Sequence, residues 1–255
     1  VSFDTVAADA YDRFMGRYSR LLSPQLADFA GVAAGQRALD VGCGTGALTA
    51  ELSARLGEDA VAAIDPAPRF VEATQQRHPG AKVVQARAED LPFGDDAFDV
   101  ALAQLVVHFM RDPVVGLSEM RRVTRNGGVV AACVWDFTGG RSPLSLFWRV
   151  AGEFDPGLFD ESKRAGTSEG DLERLFGAAG FADIVGSALE VSMEHAGFDE
   201  WWQPYTAGVG PAGEYLARAD ADRRDHIRER CRAELPDGPF TVTAVAWAAR
   251  GTVPA

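Results

Sequence analysis

Two hydrophobic periods alternate along the first half of the chain. Arg37–Cys43 (RALDVGC) is a short apolar run closed by glycines, the pattern of a strand buried on both faces. After it Leu48, Leu52 and Leu56 recur every four residues, one stripe of a helix that Gly57 ends. The alternation then repeats. Ala60–Asp65 (AVAAID) reads as a strand, Arg69–His78 as a helix stopped by Pro79-Gly80, and Ala81–Arg87 and Ala97–Leu105 as two more strands. Pro113 opens a helix carrying Val114, Leu117, Met120 and Val123. Arg121, Arg122 and Arg125 fall near its C-terminal end, where cations suit the helix dipole. Asn126-Gly127-Gly128 is expected to break this helix before a fifth strand, Val129–Trp135.

The second half predicts a helix over Ser168–Phe181 with a Ser168-x-x-Asp171 start, and strands over Ile184–Met193 and Phe240–Ala249. Between those strands lie 46 polar, aromatic and helical residues, Glu194 to Pro239, too many for a plain connection. They predict a lid over a site or a subunit contact, with Gly208–Gly213 as its hinge. Strand and helix in alternation imply βαβ units and an α/β fold, a mostly parallel sheet of seven strands with helices on both faces. No repeat and no second independent domain is visible.

Composition narrows the class. With 255 residues, 47% of them hydrophobic, the chain has enough apolar side chain to outweigh the ordering entropy. Lys plus Arg is 25 against 37 Asp plus Glu, a formal charge of −12, which disfavours nucleic acid and anionic membrane surfaces as partners. The longest nearly apolar run, Val100–Met110, is about half of the roughly 20 residues a membrane span needs. The start, Val1-Ser2-Phe3-Asp4, lacks the basic and apolar parts of a signal peptide, so a soluble cytoplasmic protein is expected. Three distant cysteines, Cys43, Cys133 and Cys231, indicate neither a disulfide framework nor a zinc site. His78, His195 and His226 show no ligand spacing, and no metal is expected.

The strongest chemical signal is Asp40-Val41-Gly42-Cys43-Gly44-Thr45-Gly46, where the first strand hands over to the first helix. Glycines there let a ligand approach the backbone while the helix N-terminus presents unpaired N–H groups. The spacing alone is ambiguous. Gly42, Gly44 and Ala47 also satisfy the looser dinucleotide pattern, and Asp65 stands about where an NAD-binding protein keeps its ribose acid. Asp40, two residues before the first glycine, suits an ammonium better than a pyrophosphate. A ligand with an ammonium, a carboxylate and a ribose but no phosphate fits better than NAD.

From Arg37 to Phe137 the chain resembles the class I S-adenosylmethionine-dependent methyltransferases, particularly the small-molecule group called type 11. Four stretches carry the likeness in order: Ala38–Gly46 (ALDVGCGTG), Ala63–Thr74 (AIDPAPRFVEAT), Ala86–Phe109 and Arg121–Trp135. The resemblance implies a Rossmann-like fold in one domain: N-terminal cap helices over 1–36, a cofactor core over 37–137, and a C-terminal part over 138–255 with the helical insertion. It implies S-adenosyl-L-methionine as cofactor and S-adenosyl-L-homocysteine as product. Gly42, Gly44 and Gly46 would then line the methionine and ribose portion. Asp40 would hold the ammonium, and Asp65, followed by Pro66, both ribose hydroxyls. Ala88 and Glu89 would sit beside the adenine, and Gln104 would face the methionine end. Where the family usually has an acid this chain has Arg87, which leaves the adenine amino group to the backbone or Glu89. In the N-terminal helix, Tyr11 or Arg17 would reach the cofactor carboxylate.

The acceptor side is less legible. His108, just past the fourth strand, is the one histidine placed to act as a base, and a packed structural role competes with that reading. Trp135, Phe137, Phe147, Trp148, Trp201, Trp202 and Tyr205 are the aromatics available to a pocket for a small, partly apolar acceptor. Phe147 and Trp148 are expected in the core, Trp135 and Trp202 at the substrate. Methyl transfer to an O, N or C nucleophile is the leading reading. An NAD(P)-dependent oxidoreductase is the runner-up, although neither Lys82 nor Lys163 completes a Tyr-x-x-x-Lys pair. A non-catalytic cofactor-binding protein is the third reading.

Overall fold

The computed structural model describes residues 8–158 and 160–255. The first four residues, read above for a leader, lie outside the described residues, as does part of the expected 1–36 cap. Two helices, α1 (Ala8–Arg13) and α2 (Met15–Ala30), precede the alternating region. That region runs β1 (Ala38–Val41), α3 (Ala47–Leu56), β2 (Val61–Asp65), α4 (Pro68–Arg77), β3 (Lys82–Gln85), β4 (Phe98–Gln104), α5 (Pro113–Val123) and β5 (Thr124–Trp135). The remainder runs α6 (Ser145–Phe154), α7 (Asp171–Ala178), β6 (Ala182–His195), α8 (Phe198–Trp202), α9 (Gly210–Arg218), α10 (Ala221–Arg232) and β7 (Phe240–Thr252).

The strands form one sheet in the order β3-β2-β1-β4-β5-β7-β6. Only β7 runs antiparallel, against both of its neighbours. β1 and β2 are buried at every position, which is why their sequences read as unbroken apolar runs. In β4 the period of two decides which layer each side chain joins. Val100 and Leu102 meet α2 and α3 residues such as Leu22, Leu26, Leu48 and Leu52, whereas Ala101 and Ala103 meet Leu117 and Met120 of α5 and Phe176 of α7. The helices of the Glu194–Pro239 stretch lie on the first of these faces, where Trp201, Tyr205, Leu216 and Ile227 are buried.

Three expectations are corrected. β5 begins at Thr124, not Val129: α5 has already ended at Val123, and Asn126-Gly127-Gly128 lies inside the strand, where the register against β4 shifts between Phe98 and Val100. The glycines permit that bulge, so they deform the strand instead of delaying it. The Ser168 cap does not form. α7 starts at Asp171 behind Gly170 in a left-handed conformation, and the Ser168 hydroxyl donates to Thr138 Oγ1. Of the three arginines expected near the end of α5, only Arg121 and Arg122 lie in its last turn, and all three also have specific partners. Arg121 donates to the Gly180 carbonyl, Arg122 to the carbonyls of Leu91 and Phe93 and to Glu119 and Asp95, and Arg125, already in β5, pairs with Asp99.

Strand order reverses between β1 and β4, so the connections leaving their carboxyl ends diverge and open a crevice. The turn from β1 into α3 edges that crevice. Gly42 has φ +76°, and a Cβ there would stand 2.4 Å from Val106 Cγ2. Gly46, with φ +92°, would bring a Cβ to 3.2 Å from Thr74 Oγ1. Gly42→Ala therefore costs about 1–3 kcal/mol of unfolding free energy in a urea titration. Trimming the opposing side chain, in the Gly42→Ala, Val106→Ala double variant, relieves the clash but not the φ strain, so the two changes are non-additive. Strict additivity would show that the close approach is not what position 42 serves.

Candidate active site

Three strand ends deliver the polar groups of the crevice. Asp65 closes β2, and both of its oxygens reach backbone: Oδ2 accepts from the Gly44 N–H at 2.9 Å and Oδ1 from the Ala67 N–H at 2.8 Å. The carboxylate thus clasps the glycine turn across the gap between β1 and β2. Asp40, inside β1, is 1% exposed. Its Oδ2 accepts the Thr49 hydroxyl at 2.6 Å, and its Oδ1 has no hydrogen-bond partner among the described residues. Burial lifts the Asp40 carboxyl to about 7, the Thr49 bond pulls it down and Asp65 adds to the rise. Gln104 ends β4. Its amide donates to the Ser19 carbonyl of α2 at 3.0 Å, while Oε1 is buried without a partner among the described residues.

The short helix α1 lies over this turn. A Cβ at Gly44 would meet Tyr11 Cε1 at 3.9 Å, and the Tyr11 ring packs against Phe70 of α4 at 5.2 Å. Burial first of all pushes the Tyr11 hydroxyl up to about 12. A Ser19 bond lowers it, and Asp65, Asp12 and Glu161 raise it further, which places Tyr11 between the carboxylates of two regions. Asp12 fixes the helix, accepting from the Thr45 hydroxyl and pairing with Arg77 at 2.6 Å, while Arg77 donates to the Thr45 carbonyl at 2.7 Å.

Behind Tyr11 is a second space, a cavity of about 50 Å³ whose wall includes Phe14, Leu105, His108, Trp135, Phe137 and Glu161. Leu105 sits there at φ +61°, an uncommon conformation for a branched residue, held by its N–H donating to the Cys133 carbonyl at 2.9 Å. His108 is buried, and its Nε2 is 3.9 Å from Glu161 Oε1. Burial, with Arg164 adding, drives His108 down to about 3, so the ring is neutral at ordinary pH. Glu161 accepts from Trp148 Nε1 at 3.1 Å. Burial raises its carboxyl to about 7, against the Trp148 bond and Arg164, with Asp160 adding to the rise.

The structure gathers most of the expected site residues but not all. Asp40, Gly42, Gly44, Gly46, Asp65, Gln104 and Tyr11 converge at one end of the sheet. Pro66 follows, exposed, with its carbonyl accepting from the Gln85 amide at 3.1 Å. Ala88 is buried in the α5 layer, and Glu89 Oε1 accepts the Arg111 N–H at 2.6 Å, so this carboxylate already secures the turn before α5. Arg17 is not at the glycine turn. It pairs with Glu200 at 2.7 Å and donates to the Glu194 carbonyl, because α2 turns it toward the insertion. Trp135 lines the cavity. Trp202 does not, being packed among Phe147, Phe198 and Tyr205. Phe147 and Trp148 are core as expected, although Trp148 also holds Glu161. The sequence reading missed Glu161, which belongs to no motif and approaches His108 only through the fold.

Comparison with known proteins agrees with this geometry. A family model described as a methyltransferase domain, type 11, matches residues 39–132. The demethylmenaquinone methyltransferase of Clavibacter sepedonicus is 31% identical over 205 residues, covering 72% of this chain and 77% of that protein. A probable phthiotriol/phenolphthiotriol dimycocerosates methyltransferase 2 of Mycobacterium ulcerans is 44% identical over 100 residues, covering 38% of each chain. An uncharacterized methyltransferase of Mycobacterium bovis is 35% identical over 130 residues, covering 51% of this chain, so this chain matches half or less of the length of these two mycobacterial relatives. Among solved structures, the YcgJ protein of the Bacillus superposes with a TM-score of 0.60 at 18% identity, over 94% of this chain and 99% of that one. The Haemonchus contortus phosphoethanolamine N-methyltransferase 2, in complex with phosphomonomethylethanolamine and S-adenosylhomocysteine, has a TM-score of 0.59 at 16% identity, over 100% of this chain and 61% of that one. The likeness to a methyltransferase over most of both chains sets aside the oxidoreductase reading: the chain belongs to the class I S-adenosylmethionine-dependent methyltransferases.

Proposed function

We propose that this chain binds S-adenosyl-L-methionine in the crevice at the carboxyl ends of β1 and β2 and transfers its methyl group to an O, N or C nucleophile of a small, partly apolar molecule. The observation that carries the reading is Asp40 Oδ1, a buried carboxylate oxygen without a partner among the described residues, beside a turn in which three of five residues are glycine. An ammonium is the group that satisfies it. Asp40 would hold that ammonium, the backbone from Gly42 to Gly46 would flank the methionine and ribose, and Asp65 would take the ribose hydroxyls. Glu89 and Ala88 would border the adenine, and Gln104 Oε1 would face the methionine end.

When bound, the cofactor supplies an electrophilic methyl group on a sulfonium. The chain's own task is positioning and exclusion of water, which in oriented reactions is worth about 7–11 kcal/mol of barrier. Tyr11 stands between the turn and the cavity, and Phe14, Leu105, Trp135 and Phe137 give that cavity an apolar wall. The relatives named for demethylmenaquinone and for a malonyl-acyl carrier protein differ in acceptor by name, so the acceptor is read from this cavity and not from them.

Two measurements test the reading. Isothermal calorimetry should detect S-adenosylhomocysteine binding to the wild-type chain and none to Asp65→Ala; unaltered binding by that variant would overturn the assignment. The second concerns pH. Below about 7 Asp40 carries a proton in the ligand-free chain and must lose it to meet an ammonium. Affinity therefore weakens by about tenfold per pH unit below that point and levels above it. Asp40→Asn flattens the profile, and a profile that is the same in both proteins would remove Asp40 from the ammonium site.

A further inference from the structure

The wall of the 50 Å³ cavity carries a polar pair for which the cofactor crevice has no use. Glu161 comes from the irregular segment between α6 and α7, and His108 from the short turn after β4. They are 3% and 5% exposed and face each other across 3.9 Å. That gap is too long for a hydrogen bond, and one oxygen atom seated about 2.8 Å from each side fills it. Glu161 Oε2 is occupied by Trp148 Nε1, and Oε1 is the atom toward His108. Two more buried polar atoms of wall residues, His108 Nδ1 and Trp135 Nε1, lack partners among the described residues. The rest of the lining is largely aromatic and aliphatic, so the wall is complementary to a flat apolar body bearing one hydroxyl.

We propose that this cavity seats an apolar acceptor with a ring hydroxyl, a phenol or an enol, and that Glu161 is the catalytic residue that takes the hydroxyl proton while His108 positions the oxygen. The inference rests on the methyl-transfer reading above. In the balanced step the hydroxyl oxygen's electron pair forms the bond to the methyl carbon, and the carbon–sulfur pair stays on the sulfur and cancels its charge. The O–H proton passes to Glu161 Oε1. A carboxylate acceptor needs no base and is repelled by Glu161, whereas a neutral hydroxyl of ordinary acidity needs one at neutral pH.

The surroundings suit that task. The groups facing Glu161 are His108, Arg164, Asp160, Tyr11 and Tyr205. Burial dominates, so the carboxyl titrates near 7, where a general base works best at neutral pH. His108 stays neutral and brings no charge against the proton transfer. Arg164, packed over Phe109 and donating to the His108 carbonyl, holds the turn that carries the imidazole. Positive charge on Arg164 also keeps the ionised carboxylate from becoming prohibitive in so dry a site.

The test has two readouts. Infrared difference titration of the full chain without cofactor should show two protonated carboxyl bands that disappear near pH 7, one missing in Asp40→Asn and the other missing in Glu161→Gln, and only the Glu161 band should shift when 4-chlorophenol is added. Transfer of labelled methyl from S-adenosylmethionine to phenols of graded acidity is the second. Glu161→Gln should lower kcat/KM about 10²–10⁴-fold on the least acidic phenol, with a smaller loss as acidity rises and with S-adenosylhomocysteine affinity unchanged. His108→Phe should raise KM more than it lowers kcat. An equal loss on every phenol, no loss, a Glu161 band indifferent to 4-chlorophenol, or a cofactor-binding chain that methylates no phenol would each overturn the proposal. Failure to bind S-adenosylhomocysteine at all would strike the methyl-transfer reading instead, and the cofactor-free infrared result would still decide whether Glu161 meets a phenol.

Discussion

Val106 fills the space that a side chain at position 42 would need, and the arrangement of the carboxyl end of the sheet depends on that contact. It lets the connection after β4 lie directly against the turn after β1. Asp65 then reaches across to the Gly44 N–H from the other side, so three neighbouring strands meet at one turn only a few residues long. Without a shared point the three ends would splay as the sheet twists. The turn is held by backbone as well as side chains: the N–H groups of both Gly42 and Cys43 donate to the Ile64 carbonyl, and the Thr74 hydroxyl donates to the Gly44 carbonyl.

What the sequence made legible follows from the range of the interactions involved. The five strands of the first half and the turn after β1 depend on local pattern, and their positions were readable to within a few residues. Asp65 was readable because strand two must end where strand one does. The edges that depended on distant partners were not. The start of β5 is decided by pairing with Phe98 of β4, which periodicity cannot register. Ser168 has the right spacing for a helix cap, yet its hydroxyl meets Thr138 in space. Trp202 is adjacent to Trp201 in a helix, but the open face of that five-residue helix goes to Asp199, and Trp202 turns inward against Phe147 of α6 and Phe198 of its own helix. Glu161 is the sharpest case. Its neighbours in sequence are Asp160, Ser162 and Lys163, an ordinary polar stretch, and only the path of the chain after α6 delivers it to Trp148 and His108.

The charge distribution gives the acidic composition a local meaning. Asp40, Asp65 and Glu161 are all at most 6% exposed and are gathered about one end of the sheet. Buried carboxylates without cations are costly, and chains accept that cost where a ligand's charge completes the set. A cofactor with an ammonium and a sulfonium brings two positive charges into such a place. Arg122 and Arg230 lie elsewhere, the first tying the loop before β4 to α5 and the second tying α10 to α6.

The latch formed by Asp12 with Thr45 and Arg77 has a kinetic corollary. With Tyr11 resting on Gly44, the turn is roofed on the side facing α1, so traffic of a nucleoside through that side demands that the salt link and the hydroxyl bond part together. Weakening the latch then speeds arrival and departure in parallel, altering residence time much more than equilibrium occupancy. Under the proposed reading, the loosening of the six residues of α1 would set the pace at which such a ligand comes and goes, far in sequence from Glu161.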